Sequence, residues 1–184
     1  MPGPTAGQQV WLPVKDEDVT VLATVTDVLP SGAVMLHRLH APARLPTLDV
    51  DIPIAEFNKL SLALGDVMNP GEDLVVLEDV SEATILHSLR LRLQKDLIFT
   101  GIGPVLVVVN PYRPVQCCSP EALRDLTERY DRSGFTEKLT PHVHTIVANA
   151  YAGLVNTKRG CPAQSVLVSG ESGAGKTETA KLGM

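Results

Sequence analysis

The chain has 184 residues, 44% of them hydrophobic and 20% charged, with a formal net charge of −5. That length holds one ordinary domain, or one domain plus a small module, and no biased tract demands disorder. A mildly acidic balance without a basic block argues against a nucleic-acid partner, and the longest apolar runs, such as 105–109, are far too short to span a bilayer. Residues 1–5 offer neither a charged n-region nor an apolar h-region, so they do not read as a secretory signal. Cys117, Cys118 and Cys161 form neither a disulfide framework nor a zinc spacing, and the adjacent pair reads as packing or neutral surface; a reducing cytoplasm fits.

Residues 7–57 read as β. Val10-Trp11-Leu12 opens the segment, and Val19, Val21, Ala23 and Val25 then alternate with Thr20, Leu22, Thr24 and Thr26, the period of a half-buried strand. This pattern sets Leu22 among the threonines. Leu29-Pro30-Ser31-Gly32 signals a turn, after which 33–36 returns as another strand. Pro42, Pro46 and Pro53 confine the rest of the segment to edges and loops. So many short strands predict a small barrel or sandwich, which gains from docking on a larger body and reads as structural rather than ligand-binding. A linker is expected over 58–72, closing on Asn69-Pro70-Gly71-Glu72-Asp73, and 73–184 forms the second portion.

That portion reads as α/β. Leu74-Val75-Val76-Leu77-Glu78-Asp79 superficially has the form of a Walker B strand, whose carboxylates would serve magnesium. Asp79 has a better use as a helix N-cap, with Glu82 at the third position. Leu86, Leu89, Leu93 and Leu97 then make an apolar stripe with Arg90, Arg92 and Lys95 among them, which predicts an amphipathic helix with solvated arginines. Residues 99–104 turn into Val105-Leu106-Val107-Val108-Val109, read as a strand buried on both faces of a largely covered sheet. It ends at Asn110-Pro111-Tyr112-Arg113-Pro114, either a proline turn or the lining of a ligand crevice at the sheet edge. Ser119 with Pro120 caps a helix over 120–130, and Thr140 with Pro141 repeats the device. The next helix carries Val143, Ile146, Val147, Ala150, Tyr151 and Leu154 on one face and stops near Gly160. His142 and His144 are too close together to share a helical face as metal ligands, and they read as ordinary helix residues.

The strongest motif comes last. Gly170-Glu171-Ser172-Gly173-Ala174-Gly175-Lys176-Thr177 fits the phosphate-binding P-loop pattern of Gly, four residues, Gly-Lys-Thr. Glycines take positive φ and let the backbone approach a ligand, so that successive N–H groups form a nest for phosphate oxygens. Lys176 would reach the β- and γ-phosphates, the Thr177 hydroxyl would ligate Mg²⁺, and the helix opening at 178–181 would turn its positive end to the anion. Ser165-Val166-Leu167-Val168, a short β-branched run before the loop, completes the strand–loop–helix order that the motif requires.

With these residues in hand, 170–178 resembles the P-loop of the myosin heavy-chain head, including interior positions that a generic P-loop leaves open. The 77–83 stretch with Leu89-Arg90-Leu91-Arg92 resembles the early head helix. Residues 98–113 resemble the strands leading to the purine-binding loop, and Pro141-His142-Val143 with Asn149-Ala150-Tyr151 resembles the long helix before the P-loop. The resemblance spans roughly 74–182, and Val10-Trp11-Leu12-Pro13 is more weakly similar to the SH3-like barrel that precedes many myosin heads. It implies the N-terminal part of a P-loop NTPase motor: an SH3-like β-barrel at 7–57, then the first α/β portion of the head. It also implies ATP and Mg²⁺ as ligands, actin filaments as partner and a cytoplasmic, cytoskeletal setting. Carried over by position, the backbone of 170–177 and Lys176 would hold the phosphates and Thr177 the magnesium, while Asn110, Pro111, Tyr112 and Arg113 would border the adenine. Cys118 stands where the family usually places a tyrosine, and His144 and Ala148 replace aromatic and acidic residues often seen in the helix.

Nothing resembling the family's switch I or switch II comes after the loop, and the actin-binding loops and lever-arm helix are also missing from these 184 residues. The expectation is therefore weak nucleotide binding without a productive ATPase cycle, since phosphoryl transfer depends on positioning that such elements supply. The helix after the loop would have about eight residues, below the roughly 12–15 needed for marginal independent stability, and strand 165–168 would want neighbours. The alternative is a regulatory or interaction fragment whose sheet edge pairs with another chain and whose P-loop is vestigial.

Overall fold

A computed structural model describes residues 3–15, 19–39, 48–133, 140–155 and 163–184. Pro42, Pro46, Gly160 and Cys161, each singled out above, lie outside the described residues. The chain divides into two units, residues up to Asn69 with Leu77–Ser88, and Pro70–Val76 with Leu89–Met184.

The first unit is a five-stranded antiparallel sheet. Its strands are β1 (Gln9–Val14), β2 (Val19–Val28), β3 (Ala33–Leu39), β4 (Asp49–Pro53) and β5 (Ser61–Leu62), ordered β4-β3-β2-β1-β5, with a short helix α1 (Ile54–Phe57) after β4. The turn at 29–32 closes as expected: Leu29 N–H donates to Ala33 C=O at 2.8 Å, and Gly32 takes φ +82°. Pro53 ends an edge strand, where its missing N–H costs no ladder bond. β5 falls within the stretch read as a linker and pairs with β1 through Val10 and Trp11.

The alternation of β1 and β2 puts Val10, Leu12, Val14, Val21, Ala23 and Val25 into one cluster with Val34, Leu36 and Phe57. Leu22 does not lie with solvent. It is fully buried opposite Trp11, and both pack with Val67 on the other face of the sheet. β2 is interior to the sheet and covered on both faces at its centre, so the polar half of its pattern holds only near the ends, where Thr20 and Thr26 are exposed.

The helix α2 (Glu82–Gln94) departs further from its pattern. Leu86 is 55% exposed, while Thr84, His87, Ser88, Leu91 and Arg92 are buried. Within the first unit the His87 ring stands edge-on to Trp11, centroids 5.4 Å apart. The cap is Ser81 rather than Asp79: Ser81 Oγ accepts from Thr84 N–H at 3.3 Å. Asp79 supports it from outside, accepting from Ser81 Oγ at 2.7 Å and Thr84 Oγ1 at 2.9 Å, bonds that hold its carboxyl below the usual range.

In the second unit, Leu74–Val76 is a 3₁₀ turn rather than a strand. Only Leu74 points inward, with Val75 and Val76 exposed, so the Walker B form is coincidental. β6 (Phe99–Ile102) and β7 (Val105–Val108) form an antiparallel hairpin whose two-residue loop starts with Gly103 at φ +56°. Asp73 steadies it, its Oδ1 accepting from Gly103 N–H at 3.1 Å. β7 is not buried on both faces: among the described residues its one ladder partner is β6, and Val105 is 59% exposed. Residues 163–170, expected to contain a strand, make no ladder among the described residues, and Leu167 is 90% exposed. Without a partner to take its N–H and C=O groups, a β-branched run forms no strand. The architecture is therefore mixed α and β, with antiparallel ladders and one isolated parallel bridge, Asp73 to Gly101, among the described residues.

Arg92, expected in solvent, is 5% exposed. Its Nε donates to Thr100 Oγ1, and its terminal nitrogens donate to the carbonyls of Gly71 and Phe99, all at 2.9 Å. Burial lowers the guanidinium pKa and the nearby Glu72 carboxylate opposes that shift. Helix α3 (Pro120–Ser133) starts as expected, Ser119 Oγ accepting from Ala122 N–H at 3.2 Å. Helix α4 (Val143–Val155) does not start at Pro141. His142 caps it, Nδ1 accepting from His144 N–H at 3.0 Å, while the ring stands edge-on to Phe99. Tyr130 of α3 donates to Asn149 Oδ1 of α4, and Thr127 Oγ1 meets His144 Nε2 at 3.0 Å. Helix α5 (Lys176–Leu182) lies against this body: Leu182 packs with Ile98, Phe99 and Val143, and a Cβ on Gly183 would lie 2.9 Å from Val147.

Candidate functional site

The site is built where the end of β7 meets the loop before α5. After Val109, whose N–H still donates to Ile98 C=O at 3.0 Å, the chain leaves the hairpin at Asn110. The Asn110 side chain then works at both ends. Its Oδ1 accepts from Tyr112 N–H at 3.0 Å, a local turn that holds Tyr112 at φ +51°, and its Nδ2 donates to Gly173 C=O at 3.0 Å. The Tyr112 hydroxyl donates to the same carbonyl at 3.3 Å. Arg113 turns away to an ion pair with Asp96, the residue at φ +59° just past the end of α2.

Across from this, Gly170, Gly173 and Gly175 adopt φ of +154°, +79° and +90°, conformations that L side chains resist. A Cβ on Gly170 would lie 3.3 Å from Ala174 Cβ, and one on Gly175 would lie 3.4 Å from Asn110 Cγ. Glycine is thus needed here for φ, and at Gly170 the space is tight as well. Lys176 folds back over the loop, its ammonium donating to the carbonyls of Gly170 and Glu171 at 2.9 Å each. Thr177 is exposed beside it.

Asn110, Pro111, Tyr112 and Arg113 line one side of a cavity of about 380 Å³ whose far side is Ala174, Gly175, Glu178 and Thr179. Ile98, Phe99, Val108, Val115 and Cys118 make its wall largely apolar. Burial and the neighbouring Cys117 push the Cys118 thiol up to about 12. Gly170 and Lys176 face a second, larger groove of about 880 Å³, bounded by Val105, Leu106, α4 residues and 164–169. The structure therefore brings the expected base-side residues and the glycine loop together. Sequence reasoning missed the clip from Asn110 and Tyr112 to Gly173 and the pairing of Arg113 with Asp96. A hydrogen bond across 63 residues leaves no periodic signal, and only the Asn-Pro turn hinted at a side chain bonding its own backbone.

The residues present fit a polyphosphate held beside a flat apolar group. Glycines at positive φ form the cradle, a lysine ammonium donates to two of its carbonyls, and a hydroxyl stands next to the lysine. The cavity alongside has the size and lining of a small-molecule site. Among the described residues there is no cluster of three or more His, Cys, Asp or Glu that could hold a metal, and no helix is long and apolar enough to cross a membrane.

A glycine-cradled loop beside an apolar slot, on a mixed α and β framework, defines the class. Residues 71–184 match the family model described as myosin head (motor domain), and the chain belongs to that family. It is similar to myosin IB heavy chain of Dictyostelium discoideum, 43% identical over 111 residues, which are 60% of this chain and 9% of that protein. It is also similar to unconventional myosin-Ic of Mus musculus, 45% identical over 111 residues, again 60% of this chain and 10% of the relative. The high molecular weight form of myosin-1 of Acanthamoeba castellanii is 36% identical over 110 residues, 6% of its length. The chain thus spans a tenth or less of these relatives.

Proposed function

We propose that these residues form the ATP-binding portion of an actin-based motor. The backbone of 170–177, as a P-loop, and Lys176 hold the phosphates, Thr177 contributes a hydroxyl to Mg²⁺, and Asn110, Pro111, Tyr112 and Arg113 border the adenine. Magnesium, when bound, neutralises charge on the phosphate oxygens. The residues of this chain position that charge: Lys176 exchanges the carbonyls of Gly170 and Glu171 for phosphate oxygens, and the cavity wall excludes water from the base. The observation that carries this reading is the shared Gly173 carbonyl, which ties the base-side loop 110–113 to the phosphate-side loop 170–177. In this reading 7–57 is an SH3-like barrel, 58–72 a linker and 73–184 the head portion. Actin as partner, movement and a cytoskeletal place in the cytoplasm belong to the whole motor that includes such a segment.

Calorimetric titration of the chain with MgATP tests the proposal. Binding that is lost in Lys176→Ala supports it, and no uptake by the unaltered chain overturns it. A second reading, as an interaction module, draws on the exposed run Val166-Leu167. A partner protein that binds the Lys176→Ala variant as well as the parent would favour it.

A further inference from the structure

Cys117 and Cys118 lie on the 3₁₀ turn Gln116–Cys118, with their sulfurs 4.0 Å apart. Neighbouring side chains in an extended strand point to opposite sides. Here the turn brings both sulfurs together, and backbone bonds hold it: Cys118 N–H to Val115 C=O at 3.1 Å and Ser119 N–H to Gln116 C=O at 3.0 Å. Both thiols are half-buried. Cys118 lines the cavity beside Asn110 and Tyr112, among Ile98, Phe99 and Val115, while Cys117 makes a weak contact of 3.8 Å to Asp96 C=O. Two sulfurs fixed on one side of a rigid turn suit a reagent that takes both at once, and an apolar cavity alongside suits a reagent carrying an aromatic ring.

We propose that the Cys117–Cys118 pair is a chelating site for trivalent aryl arsenicals, seated in the wall of the cavity so that its occupancy excludes the base of a nucleotide. The exclusion rests on the nucleotide reading above; the chelation does not. An aryl arsine oxide forms two As–S bonds, its As–O bonding is broken, and both thiol protons leave with that oxygen as water. Arsenic and sulfur keep their oxidation states, so the step needs no oxidant or reductant.

The test uses the chain with Cys161→Ser, which leaves Cys117 and Cys118 as its only cysteines. Phenylarsine oxide is expected to add once per chain with loss of one water by intact mass. The adduct should yield to 2,3-dimercaptopropanol and resist excess 2-mercaptoethanol. Cys117→Ser, Cys118→Ser or Cys118→Ala, which removes the sulfur without adding a polar group, should weaken the adduct by about 100-fold and let the monothiol reverse it. No adduct, or an adduct in any single variant that resists the monothiol like the parent's, overturns the chelating site. MgATP should slow adduct formation, and the adduct should abolish MgATP uptake. If uptake occurs but neither effect is seen, the seat in the base cavity is overturned while the chelation stands. If the unmodified chain takes up no MgATP, the nucleotide reading falls with the exclusion, and the mass measurement still decides the dithiol.

Discussion

Asn110 Nδ2 donates to the carbonyl of Gly173 at 3.0 Å, joining two loops that are 63 residues apart. Through this bond a residue just past the end of β7 holds the apex of the glycine loop. Asn110→Ala is therefore expected to weaken tripolyphosphate, which has no base, as much as it weakens ATP. One neutral hydrogen bond is worth about 0.5–1.5 kcal/mol, so the loss should be roughly threefold to tenfold in each case. Parallel calorimetric titrations check this. A loss confined to ATP would assign Asn110 to the base instead.

Arg92 is a buried cation of the second unit, and its three bonds satisfy Thr100 Oγ1 and the carbonyls of Gly71 and Phe99. Arg92→Leu keeps bulk and leaves those acceptors without their donor, so it should cost about 3 kcal/mol or more of folding stability. Urea unfolding measures it. Arg90→Leu, on the more exposed side of the same helix, should change stability by no more than about 0.5 kcal/mol.

Leu22→Ala removes a fully buried side chain packed with Trp11 and Val67, and should cost about 2–5 kcal/mol in the first unit. Thr20→Ala, on an exposed position of the same strand, should stay within about 0.5 kcal/mol. The fluorescence of Trp11, the only tryptophan, reports both transitions.

His142 predicts an acid-sensitive fold. Burial against Phe99 brings its pKa down from 6.5 to about 4, with the Cys117 carbonyl opposing the shift and His144 reinforcing it. Between those two values the unfolded chain binds a proton that the folded chain does not, so stability falls as pH drops from 6.5 and the loss is complete below about 4. The full effect is on the order of 3 kcal/mol. His142→Asn keeps a cap acceptor for the His144 N–H without a titrating ring. Its unfolding free energy should be flatter across this pH window than that of the parent.

Much of the site was legible because it depends on residue type at fixed spacing. The three glycines of 170–175 announce positive φ, and all three adopt it. Ser119-Pro120 announces a helix start, and one begins there. The misreadings share a cause. The leucine stripe of α2 is a sound pattern for an isolated helix, yet burial falls on Thr84, His87, Ser88 and Arg92: Thr84 donates to Asp79, Ser88 donates to the Thr84 carbonyl within the helix, and Arg92 reaches Thr100 and the carbonyls of Gly71 and Phe99. The valine run of β7 and the β-branched run at 165–168 have strand composition, but composition does not say how many neighbours a strand has: β7 pairs with β6 on one edge, and 165–168 joins no ladder among the described residues.

The order of residues alone determined the turns, the caps that use a neighbour's N–H and the glycine loop with its lysine, since each is decided within a few bonds of the chain. Tertiary structure decided which polar groups are buried, as with Arg92 on Thr100 and His142 against Phe99, and which distant loops share an acceptor, as Asn110 and Tyr112 do on Gly173. Burial and hydrogen bonding between remote segments depend on surfaces that exist only once the chain has folded back on itself.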